Sequence, residues 1–101
     1  MTEMQKLDRM LASLNIPHTY GRRFPDLDKK EPIHDWGTQI IVTTEKGKRL
    51  WDAVCGYGSY GFEDGLLEIM GDIVPGKDDV LGWLTADDVL ALVLAKRGGA
   101  K

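Results

Sequence analysis

A chain of 101 residues that is 43% hydrophobic has the length of one ordinary domain and can bury a core without disulfides or metal to hold it. A formal net charge of −3 and a pI near 5.3 argue against a general binder of nucleic acid or membrane surfaces, since such proteins use excess Lys and Arg to displace counterions. One domain over residues 1–101 is therefore expected, with no direct nucleic-acid binding and no membrane partner.

The charge is unevenly spread. From Leu50 to Ala95 nine acidic side chains stand against one basic side chain, Lys77, whereas residues 1–49 hold nine basic and seven acidic. Cys55 is the only cysteine, so no internal disulfide can form and an oxidising compartment gains no support. The opening Met1-Thr2-Glu3-Met4-Gln5-Lys6 reads as a polar helix start rather than the apolar run of a signal peptide, and no stretch has the length needed to cross a bilayer. The cytoplasm is the expected location.

Thr2 followed by Gln5 has the form of a capping box, and Met4, Leu7, Met10, Leu11 and Leu14 recur at helical spacing. A first helix of about three turns is predicted, ended by Asn15 and Pro17. Residues 16–23 read as a first strand with a bulge or bend at Gly21, and the proline-rich, charged stretch 24–36 as an exposed connection. Thr38 to Thr44 is β-branched almost throughout and is the clearest strand in the chain. Glu45-Lys46-Gly47 supplies a tight turn, so residues 48–55 should return antiparallel. In that returning strand Leu50, Asp52 and Val54 alternate with Trp51, Ala53 and Cys55. Neither face is fully polar, which predicts partial cover on both and permits a homodimer.

Gly56-Tyr57-Gly58-Ser59-Tyr60-Gly61 follows as a turn. Phe62, Leu66, Leu67, Ile69 and Met70 then read as a short helix terminated by Gly71, and residues 72–84 as a loop. Thr85 with Asp88 forms a second capping box, opening a last helix that carries Val89, Leu90, Leu92, Val93 and Leu94 and ends at Gly98-Gly99. The predicted fold is α+β: a small antiparallel sheet of about three strands, including the 38–55 hairpin, with an N-terminal helix and two C-terminal helices.

Gly56, Gly58 and Gly61 match the G-x-G-x-x-G spacing of a dinucleotide turn, which needs a strand before it and a helix after it. The fingerprint belongs to a parallel βαβ unit, however, and here the strand closes an antiparallel hairpin. Glu63 and Asp64 would also stand where a phosphate must sit. The preferred reading is a structural turn in which the glycines reverse the chain while Tyr57, Tyr60 and Phe62 pack or cap the sheet end. A competing reading makes Tyr57, Ser59, Tyr60, Phe62 and Trp83 candidate ligand- or partner-binding residues. A small-molecule or nucleotide site on the same turn is the alternative.

Cys55 with His18 or His34 would be a nucleophile and base only if the fold brought them together, and packing is the simpler reading. No catalytic residue is assigned. Neither histidine has a second ligand at metal-binding spacing, and Asp78-Asp79 and Asp87-Asp88 lack the Gly and terminal Glu of a calcium loop. No metal or cofactor is expected. The acidic second half also admits a mimic of nucleic-acid phosphate that blocks a basic channel, against the plainer reading of solvated and helix-capping acids.

Residues 58–71, from Gly58-Ser59-Tyr60-Gly61 to Ile69-Met70-Gly71, together with Asp78-Asp79-Val80-Leu81-Gly82-Trp83-Leu84-Thr85-Ala86, resemble small proteins of phages and prophages in gut-type Firmicutes. The likeness covers the C-terminal half, more loosely the first helix. It implies a phage-associated setting, and because that group has no assigned activity it carries over no site residue. The expected function is that of a non-enzymatic accessory protein acting through a protein partner.

Overall fold

The computed structural model describes residues 1–30 and 33–99. Helix α1 (Glu3–Ser13) opens on the expected capping box: Gln5 N–H donates to Thr2 Oγ1 at 3.1 Å and Thr2 N–H donates to Gln5 Oε1 at 2.9 Å. Two donors that the helix itself leaves open are thereby satisfied. Met4, Leu7 and Leu11 are its buried face. Asn15 takes the left-handed conformation, with φ 57, which asparagine tolerates better than most residues, and the chain turns into strand β1 (His18–Arg22).

The expected connection after β1 contains a short helix, α2 (Pro25–Lys30), with proline at the first position, where its missing N–H costs nothing. Glu31 and Pro32 of that connection lie outside the described residues. Strands β2 (Thr38–Thr43) and β3 (Arg49–Cys55) form the expected hairpin, Thr38 opposite Cys55 and Val42 opposite Trp51. Its turn is closed by Thr44 N–H to the Lys48 carbonyl at 2.8 Å and Gly47 N–H to the Thr44 carbonyl at 2.9 Å.

The second half departs from expectation. Residues 62–70 are not a helix: Phe62–Asp64 make one 3-10 turn, and Leu67–Gly71 form strand β4, antiparallel to β3. A short run dense in Leu, Ile and Met fits either period, and burial shows which applies. Leu67 and Ile69 are fully buried while Met70 is exposed, so pairing with β3 outweighs the helix preference of Leu, Glu and Met.

Residues 72–84 are likewise not all loop, since they include strand β5 (Val80–Leu84), antiparallel to β4 with a register shift between Leu67 and Ile69. Gly82 falls in that expected loop, but in the fold it provides close approach: a Cβ there would lie 2.3 Å from the Cβ of Tyr60. The sheet therefore has five strands rather than about three, in the order β1-β2-β3-β4-β5. One helix follows it rather than two: α3 (Ala86–Gly99). Its capping box is as expected, with Asp88 N–H to Thr85 Oγ1 at 3.1 Å and Thr85 N–H to Asp88 Oδ2 at 3.0 Å.

Helices α1 and α3 pack against each other and on one face of the sheet. Met4, Leu7 and Leu11 of α1 and Val89 and Val93 of α3 enclose Ile40, Val42, Trp51, Ala53, Leu67 and Ile69. The register puts Asp52, Val54 and Glu68 on the opposite face, yet all three are buried. Gln39 Nε2 donates to Asp52 Oδ2 at 2.9 Å, and Tyr60 N–H donates to Glu68 Oε1 at 3.1 Å, so both carboxylates hold a partner, as buried charge requires. The glycine turn thus reaches the sheet face that α1 and α3 leave open. No helix among the described residues is long and apolar enough to cross a membrane.

Candidate binding site

The glycine turn leaves the end of β3 at a point where two backbones touch. A Cβ on Gly56 would lie 1.9 Å from the Trp36 carbonyl oxygen, and one on Gly37 would lie 1.8 Å from the Cys55 carbonyl oxygen. Only two glycines permit that crossing. Ser59 fixes the next step: its hydroxyl donates to the Gly56 carbonyl at 2.7 Å and accepts the Gly56 N–H at 3.0 Å, and its own N–H donates to the same carbonyl at 2.9 Å. Ser59 is buried and its hydroxyl is fully engaged, so among the candidate residues its part is to shape the turn.

Tyr57 and Tyr60, on either side of Ser59, join different aromatic groups. The Tyr57 backbone is held by its N–H to the Asp35 carbonyl at 2.7 Å and by Arg23 Nη1 donating to its carbonyl at 2.8 Å. Its ring stacks on His34 at 3.8 Å and meets Trp36 edge-on at 5.4 Å, while Phe24 meets Trp36 edge-on at 6.1 Å. The Arg23 guanidinium lies 4.5 Å from the Phe24 ring centre. Neither Phe24 nor His34 gives such a signal in the sequence, because only the crossing at Gly37 and Gly56 brings the 24–36 segment to the turn.

Tyr60 stacks on Trp83 of β5, ring centres 5.1 Å apart and planes 24° apart. The Trp83 N–H donates to the Tyr60 carbonyl at 3.2 Å, and Gly82 lies flat against the Tyr60 side chain. Trp83 sits at φ 56, a left-handed conformation that is a true outlier for a bulky side chain and costs about 1–2 kcal/mol. Burial does not offset that cost, since Tyr60 is 54% exposed and Trp83 59% exposed. Phe24, at φ 52 and also exposed, shares this conformation.

Tyr57, Tyr60, Phe62 and Trp83, all named from the sequence, line one open cleft of about 470 Å³, with Glu63 and Asp64 in the same wall. These two acids look in sequence like the first turn of a helix. In the fold they are, among the described residues, the charged side chains that line the cleft, and neither carboxylate has a hydrogen-bond or ion-pair partner among those residues. The turn opens onto three residues of 3-10 helix, so it lacks the row of free N–H groups and the dipole that hold a pyrophosphate. Its electrostatics suit a cation.

The other candidates separate. The hollow beside Cys55, about 320 Å³, is lined by Thr2, Tyr20, Arg22, Asp35 and Thr38 among others and contains no histidine. Burial pushes the Cys55 thiol up, and the Asp35 carboxylate adds to the shift; both oppose the thiolate a nucleophile needs. The ring nitrogens of His18 face the Ile16 carbonyl at 2.8 Å and Asp8 Oδ1 at 2.7 Å, which leaves neither nitrogen open. Among the described residues no three His, Cys, Asp or Glu side chains are grouped to hold a metal. Three of the nine acids of the second half, Asp52, Glu68 and Asp88, accept structural hydrogen bonds.

No family model matches the chain, and no curated protein and no solved structure matches it either.

Proposed function

We propose that this protein is a non-enzymatic binding protein whose cleft at Tyr57, Tyr60, Phe62 and Trp83 receives a protein partner, in the phage-associated setting that the resemblance of residues 58–71 and 78–86 implies. The observation that carries the reading is the stacked Tyr60–Trp83 pair, exposed and held on a strained Trp83 backbone. Large, stiff aromatic side chains lose little conformational freedom on contact, which is why Tyr and Trp dominate binding hot spots. Here the ring pair is fixed before any partner arrives by the Tyr60–Trp83 backbone bond and the Gly82 contact.

A photo-crosslinking residue at position 57, with a control at position 45 in the distant hairpin turn, tests this in lysate of the cognate host. A discrete adduct at position 57, missing at position 45 and lost when Trp83→Leu is added, is the expected result. The same adducts at both positions, or adducts indifferent to Trp83, would refute it.

A further inference from the structure

The same cleft also states the chemistry of its occupant. Its two charged side chains, Glu63 and Asp64, are both acidic, exposed and unpaired among the described residues, and they share the wall with the Tyr60–Trp83 stack. The surrounding sequence, residues 50–95, carries nine acids and the single base Lys77, while Arg23 of the first half reaches the Tyr57 carbonyl beside the cleft and is held there at 2.8 Å. Three requirements follow for whatever binds. It must be cationic to meet the carboxylates, flat enough to lie on an aromatic face, and able to donate several hydrogen bonds at once.

Guanidinium meets all three. It is planar, stacks on Tyr and Trp, stays charged at any physiological pH and presents a fork of N–H donors that matches a carboxylate. Ammonium meets the first and, with three N–H donors, the third, but it is compact, strongly hydrated and has no flat face to lay on a ring. A phosphate-bearing ligand fails the first, because Glu63 and Asp64 would repel its charge, whatever its base could stack on. The cleft is half open to solvent, which suits a side chain delivered by a polypeptide lying across the surface.

We infer that the cleft binds an arginine-bearing segment of a partner protein, with the guanidinium laid against Tyr60 and Trp83 and its charge met by Glu63 and Asp64. The inference rests on the protein-binding reading above and narrows it to one partner chemistry. It also accounts for the acids of this turn without any role in mimicking nucleic acid.

The test uses capped peptides of three Gly-Arg, three Gly-Lys or three Gly-Glu repeats, titrated into the full chain while the indole N–H of Trp83 is followed by NMR. The Arg peptide is expected to shift that signal saturably, the Lys peptide to bind several-fold more weakly, and the Glu peptide to have no effect. Combining Glu63→Gln with Asp64→Asn, both exposed, should weaken the Arg peptide by about tenfold. Combining Asp78→Asn with Asp79→Asn changes net charge equally but lies outside the cleft, and should leave affinity within about twofold.

Equal weakening by the two double variants would show a diffuse electrostatic effect and overturn the inference. So would equal affinity for Arg and Lys peptides, or free arginine amide binding as tightly as the peptide. If the Arg peptide fails to bind while the position-57 adduct still depends on Trp83, the inference falls and the protein-binding reading stands.

Discussion

Glu3 Oε1 accepts the backbone N–H of Ala86 at 2.8 Å, so a side chain in the first turn of α1 satisfies a donor in the first turn of α3, 83 positions away. The bond holds the Glu3 carboxyl below the usual glutamate range, with the neighbouring Lys6 at 3.3 Å adding to the effect. A carboxyl with a lowered folded-state pKa stabilises above its unfolded pKa and loses that contribution as pH falls through the folded value. Glu3→Gln should therefore lower stability near neutral pH by about 0.5–1.5 kcal/mol. The gap between wild type and variant should close as pH falls below about 4, measured by urea melts at paired pH values. A gap that stays constant from pH 7 to pH 3 would show that the charge of Glu3 is not what the bond uses.

Two tryptophans of the sheet, one in β3 and one in β5, should respond differently to truncation. Trp51 is buried among Val42, Ile73 and the helices, so Trp51→Ala should cost about 3–5 kcal/mol. Trp83→Gly removes an exposed ring but relieves the left-handed backbone, and the two effects should leave thermal stability within about 1 kcal/mol of wild type. Calorimetric melting of both variants decides it, and a large loss for Trp83→Gly would mean that its ring carries packing.

Gly56→Ala should be far more damaging than Gly58→Ala. The first drives a methyl to 1.9 Å from the Trp36 carbonyl oxygen, whereas the second meets open space and only a left-handed φ of 85. The expected losses are at least about 3 kcal/mol and about 1 kcal/mol respectively, read from denaturant midpoints. Ser59→Ala leaves the buried Gly56 N–H without the partner that holds the turn and should cost about 1–2 kcal/mol.

Cys55 should be a sluggish thiol. Burial and the Asp35 carboxylate both raise its pKa, so alkylation by iodoacetamide should rise with pH along a curve displaced upward from that of an unfolded cysteine peptide. Asp35→Asn should move the curve back part of the way. An inflection below the peptide's would restore Cys55 as a nucleophile candidate.

Much of the local structure was legible because its causes are local. Both capping boxes, at Thr2–Gln5 and Thr85–Asp88, depend on residues three apart, and the 38–55 hairpin depends on a β-branched run meeting a glycine turn. Strands β4 and β5 were not legible. Leu67 and Ile69 become a strand because β3 offers them a pairing edge and the helices offer them a core, and Gly82 breaks the pattern of β5 to make room for Tyr60.

The site divides in the same way. Sequence alone singled out Tyr57, Tyr60, Phe62 and Trp83 as large aromatics in or near glycine turns, and it showed that the chain around them is acidic. Only the tertiary structure decided that Tyr60 and Trp83 form one stacked pair while Tyr57 turns to His34 and Trp36. It also decided that Ser59 faces inward and that Glu63 and Asp64 are walls of a cleft instead of the start of a helix. The physical reason is the backbone crossing of Gly37 and Gly56 together with the addition of β5 to the sheet: both are contacts between distant segments, and no short-range pattern encodes them.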